Sequence, residues 1–242
     1  MATNDTTRET ANGTGPITFT WAGALDGARR GLPLAVSVCA YGLVFGVLAR
    51  QARLGLGEAA LMSGLVAAGA SQFVVLTLWA TPLPVLTIVL TTFVVNLRLV
   101  LMGAALRPWF ARLSPLRAYG SVFFLGDESW ALTLREVEAG GRNGAFLLGS
   151  GLTIAAAWLG ATIVGHTIGA TLRDPAQWGL DFAVTAVFAA LLVGMWKGKA
   201  DLAPWATAAV AAVVVAHFVP GKWYILAGGL AGSVLGAVRH AR

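Results

Sequence analysis

Apolar stretches of about 17–25 residues, separated by short polar breaks, recur from residue 31 to residue 238. Wound as a helix that rises 1.5 Å per residue, a stretch of that length spans the roughly 30 Å of hydrocarbon in a bilayer. Charge is scarce to match: 12% of the 242 residues are Asp, Glu, Lys or Arg, about half the share in a soluble domain. So few charges leave too little polar surface for a water-facing globule. Lipid offers backbone amides no partner, which excludes an open sheet at bilayer depth. The expected class is therefore all-α, a polytopic transmembrane helical bundle of about seven to eight spans. Thirty Gly and nine Trp fit it, since Gly is frequent in membrane helices and Trp anchors at interfaces.

The spans fall at residues 31–49, 57–80, 82–106, 118–134, 144–168, 179–196, 202–219 and 223–238. Residues 1–16 read as a disordered polar tail without the order of a signal peptide, and 17–242 as one transmembrane domain. Residues 17–30, with Phe19, Trp21 and Leu25 among small and basic residues, read as a short interfacial helix ahead of the first span. If all eight segments cross, nine basic residues lie on the tail side against seven opposite, which barely favours a cytoplasmic amino terminus. If the second segment dips and returns, that bias disappears. The net charge of +6 is scattered over loops, which points to headgroups and topology rather than nucleic acid. Glycines recur every four residues at Gly42 and Gly46 and at Gly228, Gly232 and Gly236, a spacing expected to serve helix packing within the chain.

Polar chemistry at depth separates a transporter from a passive bundle, because charged or hydrogen-bonding groups persist there mainly in cavities or in pairs. Gly69, Ser71 and Gln72 sit in the second segment. Small residues there favour a break or a re-entrant turn whose freed backbone groups line a substrate site; close packing with Gln72 bonded to a neighbour is the alternative. Asn96 and Arg98 sit in the third segment. Arg98 keeps its charge on burial, so it needs a carboxylate partner, whether a bound ligand or an acid of the bundle. Asp127 and Glu128 sit in the fourth, about 100° apart on a continuous helix. One acid pairs with Arg98 and the other couples ions, unless Gly126 breaks the helix and leaves both in a wet loop. A mid-membrane cavity is expected where the second, third and fourth segments meet, faced by Gln72, Asn96 and Asp127 and walled by Phe73, Phe93 and Phe123. His166, Asp181 and His217 rank second, as packed or interfacial groups. The three histidines have no helical spacing with acids, so no metal site is expected. No Walker A sequence or paired nucleophile and base stands out, so neither a cofactor nor an enzyme activity is expected.

Several of these motifs resemble one family. Gly31-Leu32-Pro33, the run Tyr41 to Ala49, Ala68-Gly69-Ala70-Ser71-Gln72-Phe73, Asn96-Leu97-Arg98 followed by Met102 to Leu106, and Gly126-Asp127-Glu128 are similar to the AzlC family in order and spacing. Gly126 stands where the family often has Thr, and Leu99 where relatives carry an aromatic or His. The resemblance implies the large subunit of a branched-chain amino acid exporter. It implies export of valine, leucine and isoleucine, extending to methionine, driven by an ion gradient taken as protons. It also implies a small AzlD-type membrane protein as partner and the cell membrane as location. Gly69, Ser71, Gln72, Asn96 and Asp127 are then candidates for the substrate, and Arg98, Asp127 and Glu128 for ion coupling. A non-transport subunit and a small-solute channel are the competing functions.

Overall fold

The computed structural model describes residues 16–172, 198–219 and 223–240, with scattered positions between 182 and 196. The tail up to residue 15, most of the sixth predicted span and Asp181 lie outside the described residues. In chain order the helices are α1 (Trp21–Gln51), α2 (Leu56–Leu65), α3 (Gly69–Leu78), α4 (Val85–Phe110), α5 (Pro115–Val122), α6 (Asp127–Glu138), α7 (Ala145–Gly169), α8 (Leu202–Phe218) and α9 (Trp223–His240). A 3-10 turn, Lys199–Asp201, leads into α8. No strand occurs among the described residues, and α1, α4, α7 and the stretch Lys199–Phe218 are long and apolar enough to cross a membrane.

Helices α1 and α7 form the axis. A Cβ on Gly31 would lie 3.3 Å from Ser150 Cα, one on Gly42 2.9 Å from Ala161 Cβ, and one on Gly46 3.0 Å from Gly165 C. Each of these pairs is 119 residues apart. A constant offset means that the two helices run parallel, with backbones in near contact. The same packing corrects the expected interfacial helix at 17–30: Trp21–Gln51 is one helix that continues through Pro33. Gly23 and Gly27 seat its first turns on Asn143 and Phe146, so those turns already belong to the bundle. Gly228 and Gly232 likewise face Ala208 on α8, and both glycine series pack within the chain as expected.

The second predicted span is broken. Residues 66–68 leave the helix, with Val66 at φ −110°, ψ 91° and Ala68 at φ −144°, ψ 82°. Gln72 Nε2 donates to the Met62 carbonyl at 2.7 Å. In collinear halves those residues would stand about 15 Å apart, beyond the reach of a glutamine, so α2 and α3 fold back as a hairpin. It enters beside the ends of α1 and α7, where His166 Nε2 lies 2.9 Å from the Leu54 carbonyl, and the Ser63 and Thr162 hydroxyls meet at 3.1 Å. Helix α4 then runs the full depth, about 39 Å, to pack Leu106, Trp109 and Phe110 on Phe146 and Leu147 at the opposite, tail-side end.

The fourth predicted span is also a hairpin, which corrects the reading of one continuous helix with two acids in its middle. Leu113, before α5, packs on Gly144, and the Arg142 carbonyl, after α6, accepts from Thr18 N–H at 2.8 Å. Both ends therefore lie at the tail-side end, and the tip reaches Gly151 through Phe124. The cause is local. Gly126 is extended at φ −124°, ψ 177°, and its N–H donates to the Ser129 hydroxyl at 2.9 Å, which starts a new helix at Asp127. The two hairpins thus enter from opposite ends, with α4 beside both.

Candidate functional site

The tip of the first hairpin rests on aromatic rings. Buried Phe45 and Phe73 and partly buried Trp158 form a triad with centroids 5.7–6.1 Å apart. A Cβ on Gly69 would stand 2.9 Å from Trp158 Cη2, so glycine lets the start of α3 sit against the indole. The first ladder bond of α3 runs from Gln72 N–H to the Ala68 carbonyl at 3.2 Å. The amides of residues 69–71 precede it. They have no side-chain cap and no acid in the first turn. A helix start left in that state carries a partial positive charge that suits an anionic group. Ser71 turns its hydroxyl back to the Ala68 carbonyl at 2.8 Å.

Beside that tip, a cavity of about 470 Å³ opens between the hairpin and α4. Met62, Val66, Val75, Trp79, Ile88, Val89 and Phe93 give it apolar walls, and Ser71, Gln72 and Thr92 also line it, with the oxygens of Gln72 and Thr92 buried behind that apolar surface. Its size and lining match those of small-ligand pockets. Of the residues expected to face a cavity here, Gln72 and Phe93 do so. Asn96, expected to face it, is not in the lining but lies one turn beyond Thr92 on the same stripe of α4. Phe73 belongs to the aromatic triad, and Phe123 packs on Phe124 at the other hairpin. Asp127 is also absent from this lining.

Asp127 instead belongs to a charge cluster. Arg98 Nη1 lies 2.7 Å from Asp127 Oδ2, which ties α4 to the tip of the second hairpin. Asp127 and Glu128 open α6, where the helix dipole favours carboxylates. Glu128 turns back toward Gly126, its Oε2 3.8 Å from where a Cβ would stand, and makes no salt bridge within 4.0 Å among the described residues. Residues 96 and 98 point about 200° apart on a helix. Helix α4 therefore carries the cavity stripe on one face and the ion pair on another.

Sequence reasoning missed Thr92, because a threonine inside a span ordinarily bonds its own helix. His166 is a packed, hydrogen-bonded histidine, 3% exposed. His217 sits at the end of α8, its ring against Phe218.

Four stretches among the described residues long and apolar enough to cross a membrane, with two hairpins that carry polar and charged groups at their tips, define a polytopic helical membrane protein. The chain belongs to the AzlC family: residues 33–172, which run from α1 through the end of α7, match the AzlC protein family. It is similar to a membrane protein of Archaeoglobus fulgidus, 34% identical over 71% of this chain and 77% of that relative. It is also similar to a membrane protein of Helicobacter pylori strain J99, 28% identical over 76% of this chain and 80% of the relative. The inner membrane protein YgaZ of Escherichia coli K12 is 26% identical over 74% and 75%. No solved structure matches significantly. Family and relatives support a membrane transport-related role at this coarse level.

Proposed function

We propose that the chain is a secondary active transporter that exports branched-chain amino acids, namely valine, leucine and isoleucine and by extension methionine, across the cell membrane. It acts with a small AzlD-type membrane subunit and draws on an ion gradient, taken as protons. The observation that carries this reading is the cavity at the broken segment, which Ser71 and Gln72, in the uncapped first turn of α3, line together with an aliphatic wall. A substrate carboxylate meets the amides of residues 69–71, and its branched side chain lies against Val75, Ile88 and Phe93. The second hairpin supplies the coupling groups. Asp127 is held by Arg98, which leaves Glu128 as the acid that loads and releases a proton.

Flux in proteoliposomes, with and without the small subunit, tests this. Under an imposed proton gradient the wild type should accumulate leucine above its equilibrium level. A channel would only equilibrate it, and a scaffold would move none. Glu128→Gln should lose at least tenfold of the gradient-driven accumulation and keep leucine–leucine exchange. Unchanged accumulation in that variant would sink the coupling role.

Positive charge supports an orientation as well. Between residues 16 and 172, Arg29, Arg30, Arg107, Arg112, Arg117, Arg135 and Arg142 lie toward the tail-side end, against Arg50 and Arg53 at the other. The two hairpins sharpen the bias that eight crossings would blur, and seven against two favours a cytoplasmic tail-side end. In a Cys39→Ser background, an impermeant thiol reagent on intact cells should label Gly57→Cys and spare Ser114→Cys. The reverse pattern would invert the topology.

A further inference from the structure

Three buried side-chain oxygens near the cavity have no partner among the described residues: Gln72 Oε1, Thr92 Oγ1 and Asn96 Oδ1. Several hydroxyls elsewhere in the bundle do not behave this way, although Thr133, in α6 at the second hairpin, does. Thr77, Thr153, Ser121 and Ser150 all donate to carbonyls of their own helices at 2.7–3.0 Å, which is the usual resort of a hydroxyl in lipid. Thr92 does not. Gln72 is 1% exposed, and its Nε2 is committed to the Met62 carbonyl. Because a carbonyl only accepts, that bond fixes which end of the amide is free, and the free end is the acceptor. Gln72 and Thr92 line the same cavity, and Asn96 follows Thr92 by one turn, about 5–6 Å along the stripe. Thr91 also leaves its hydroxyl unpartnered, but it points about 100° away from Thr92.

Unpaired buried acceptors are costly unless a donor or a cation arrives. No acidic side chain lines the cavity, and the nearest candidate, Asp127, is held by Arg98 on another face of α4. We propose that Gln72, Thr92 and Asn96 form a subsite of neutral oxygens for a small monovalent cationic group. Two sources share that chemistry: the ammonium of an amino acid, which rests on the function proposed above, or a free Na+, which does not. With the ammonium as source, a zwitterion lies across the tip, its carboxylate on the start of α3 and its ammonium among dipoles. Neither end then needs a buried counter-charge.

Calorimetry on the purified protein in lipid nanodiscs tests the subsite. The ligands are NaCl alone, L-leucine, and the 2-hydroxy acid with leucine's side chain. Each organic ligand is titrated in NaCl and in choline chloride. With ammonium as source, Thr92→Val should weaken leucine at least tenfold and leave the hydroxy acid unchanged, and Thr92→Ser should restore leucine. With Na+ as source, wild-type binding should be tighter in NaCl for both organic ligands, and Thr92→Val should erase that difference. A wild type that binds leucine, with Thr92→Val matching it for every ligand in both salts, overturns the subsite and leaves the transport reading standing. A wild type that binds neither leucine nor Na+ overturns both.

Discussion

Gly46→Leu is expected to leave almost no folded protein. A Cβ there would stand 2.6 Å from His166 N and against the Thr162 carbonyl. Both are backbone atoms of α7, so no rotamer change relieves the clash. The helices would have to part along the interface that organises the bundle. Overpacking of a well-filled core costs about 1–3 kcal/mol where side chains can yield, and more where they cannot. We therefore expect a loss of about 3 kcal/mol or more, a large share of the 5–15 kcal/mol that typically holds a domain together. Gly160→Leu is the control. Gly160 lies on the same α7, and nothing stands within 4 Å of its Cβ position. Size-exclusion chromatography of detergent extracts should show a folded peak for Gly160→Leu and none for Gly46→Leu. Two wild-type profiles would refute the tight contact between α1 and α7.

The second large effect concerns Arg98 and Asp127. Arg98→Leu or Asp127→Leu alone strands one charge between α4 and the second hairpin. Breaking a buried pair costs about 3–5 kcal/mol, and replacing both members with apolar groups is often neutral. The side chains here are 30% and 44% exposed, between a buried and an exposed pair, which places the expected cost of either single change at about 1–3 kcal/mol. The double variant should recover most of the thermal stability of the wild type. It should not recover transport, because the charge beside Glu128 is gone. A double-mutant cycle on melting temperature reads the coupling directly. Strict additivity of the two single losses would show that the 2.7 Å contact contributes nothing to stability.

Much of the bundle was legible in its residues. The apolar runs at 144–168, 202–219 and 223–238 became α7, α8 and α9 within two residues at each described end. A strongly apolar run has one stable solution in lipid, so its length carries the answer. The pairing of Arg98 with an acid of the fourth segment was legible for a similar reason, since a permanent charge at that depth demands a partner. The break before Gly69 was signalled by small residues in an otherwise apolar segment. Thr92 was not signalled, because whether its hydroxyl bonds back depends on what stands opposite it.

Sequence alone determined the class of fold, marked Gly69 and Gly126 as places where a helix could break, and named the acids that Arg98 could meet. It did not determine where the chain goes after each break. An apolar run of a given length has the same hydropathy whether its second half continues across the bilayer or turns back. That direction was decided by contacts between residues far apart in the chain: Ser63 with Thr162, Leu54 with His166, and Leu113 with Gly144. Gln72 reaching back to Met62 then closed the first hairpin. Those contacts made hairpins of two predicted spans, put Asp127 on the far face of α4 from the cavity, and separated the candidate substrate groups from the candidate coupling groups.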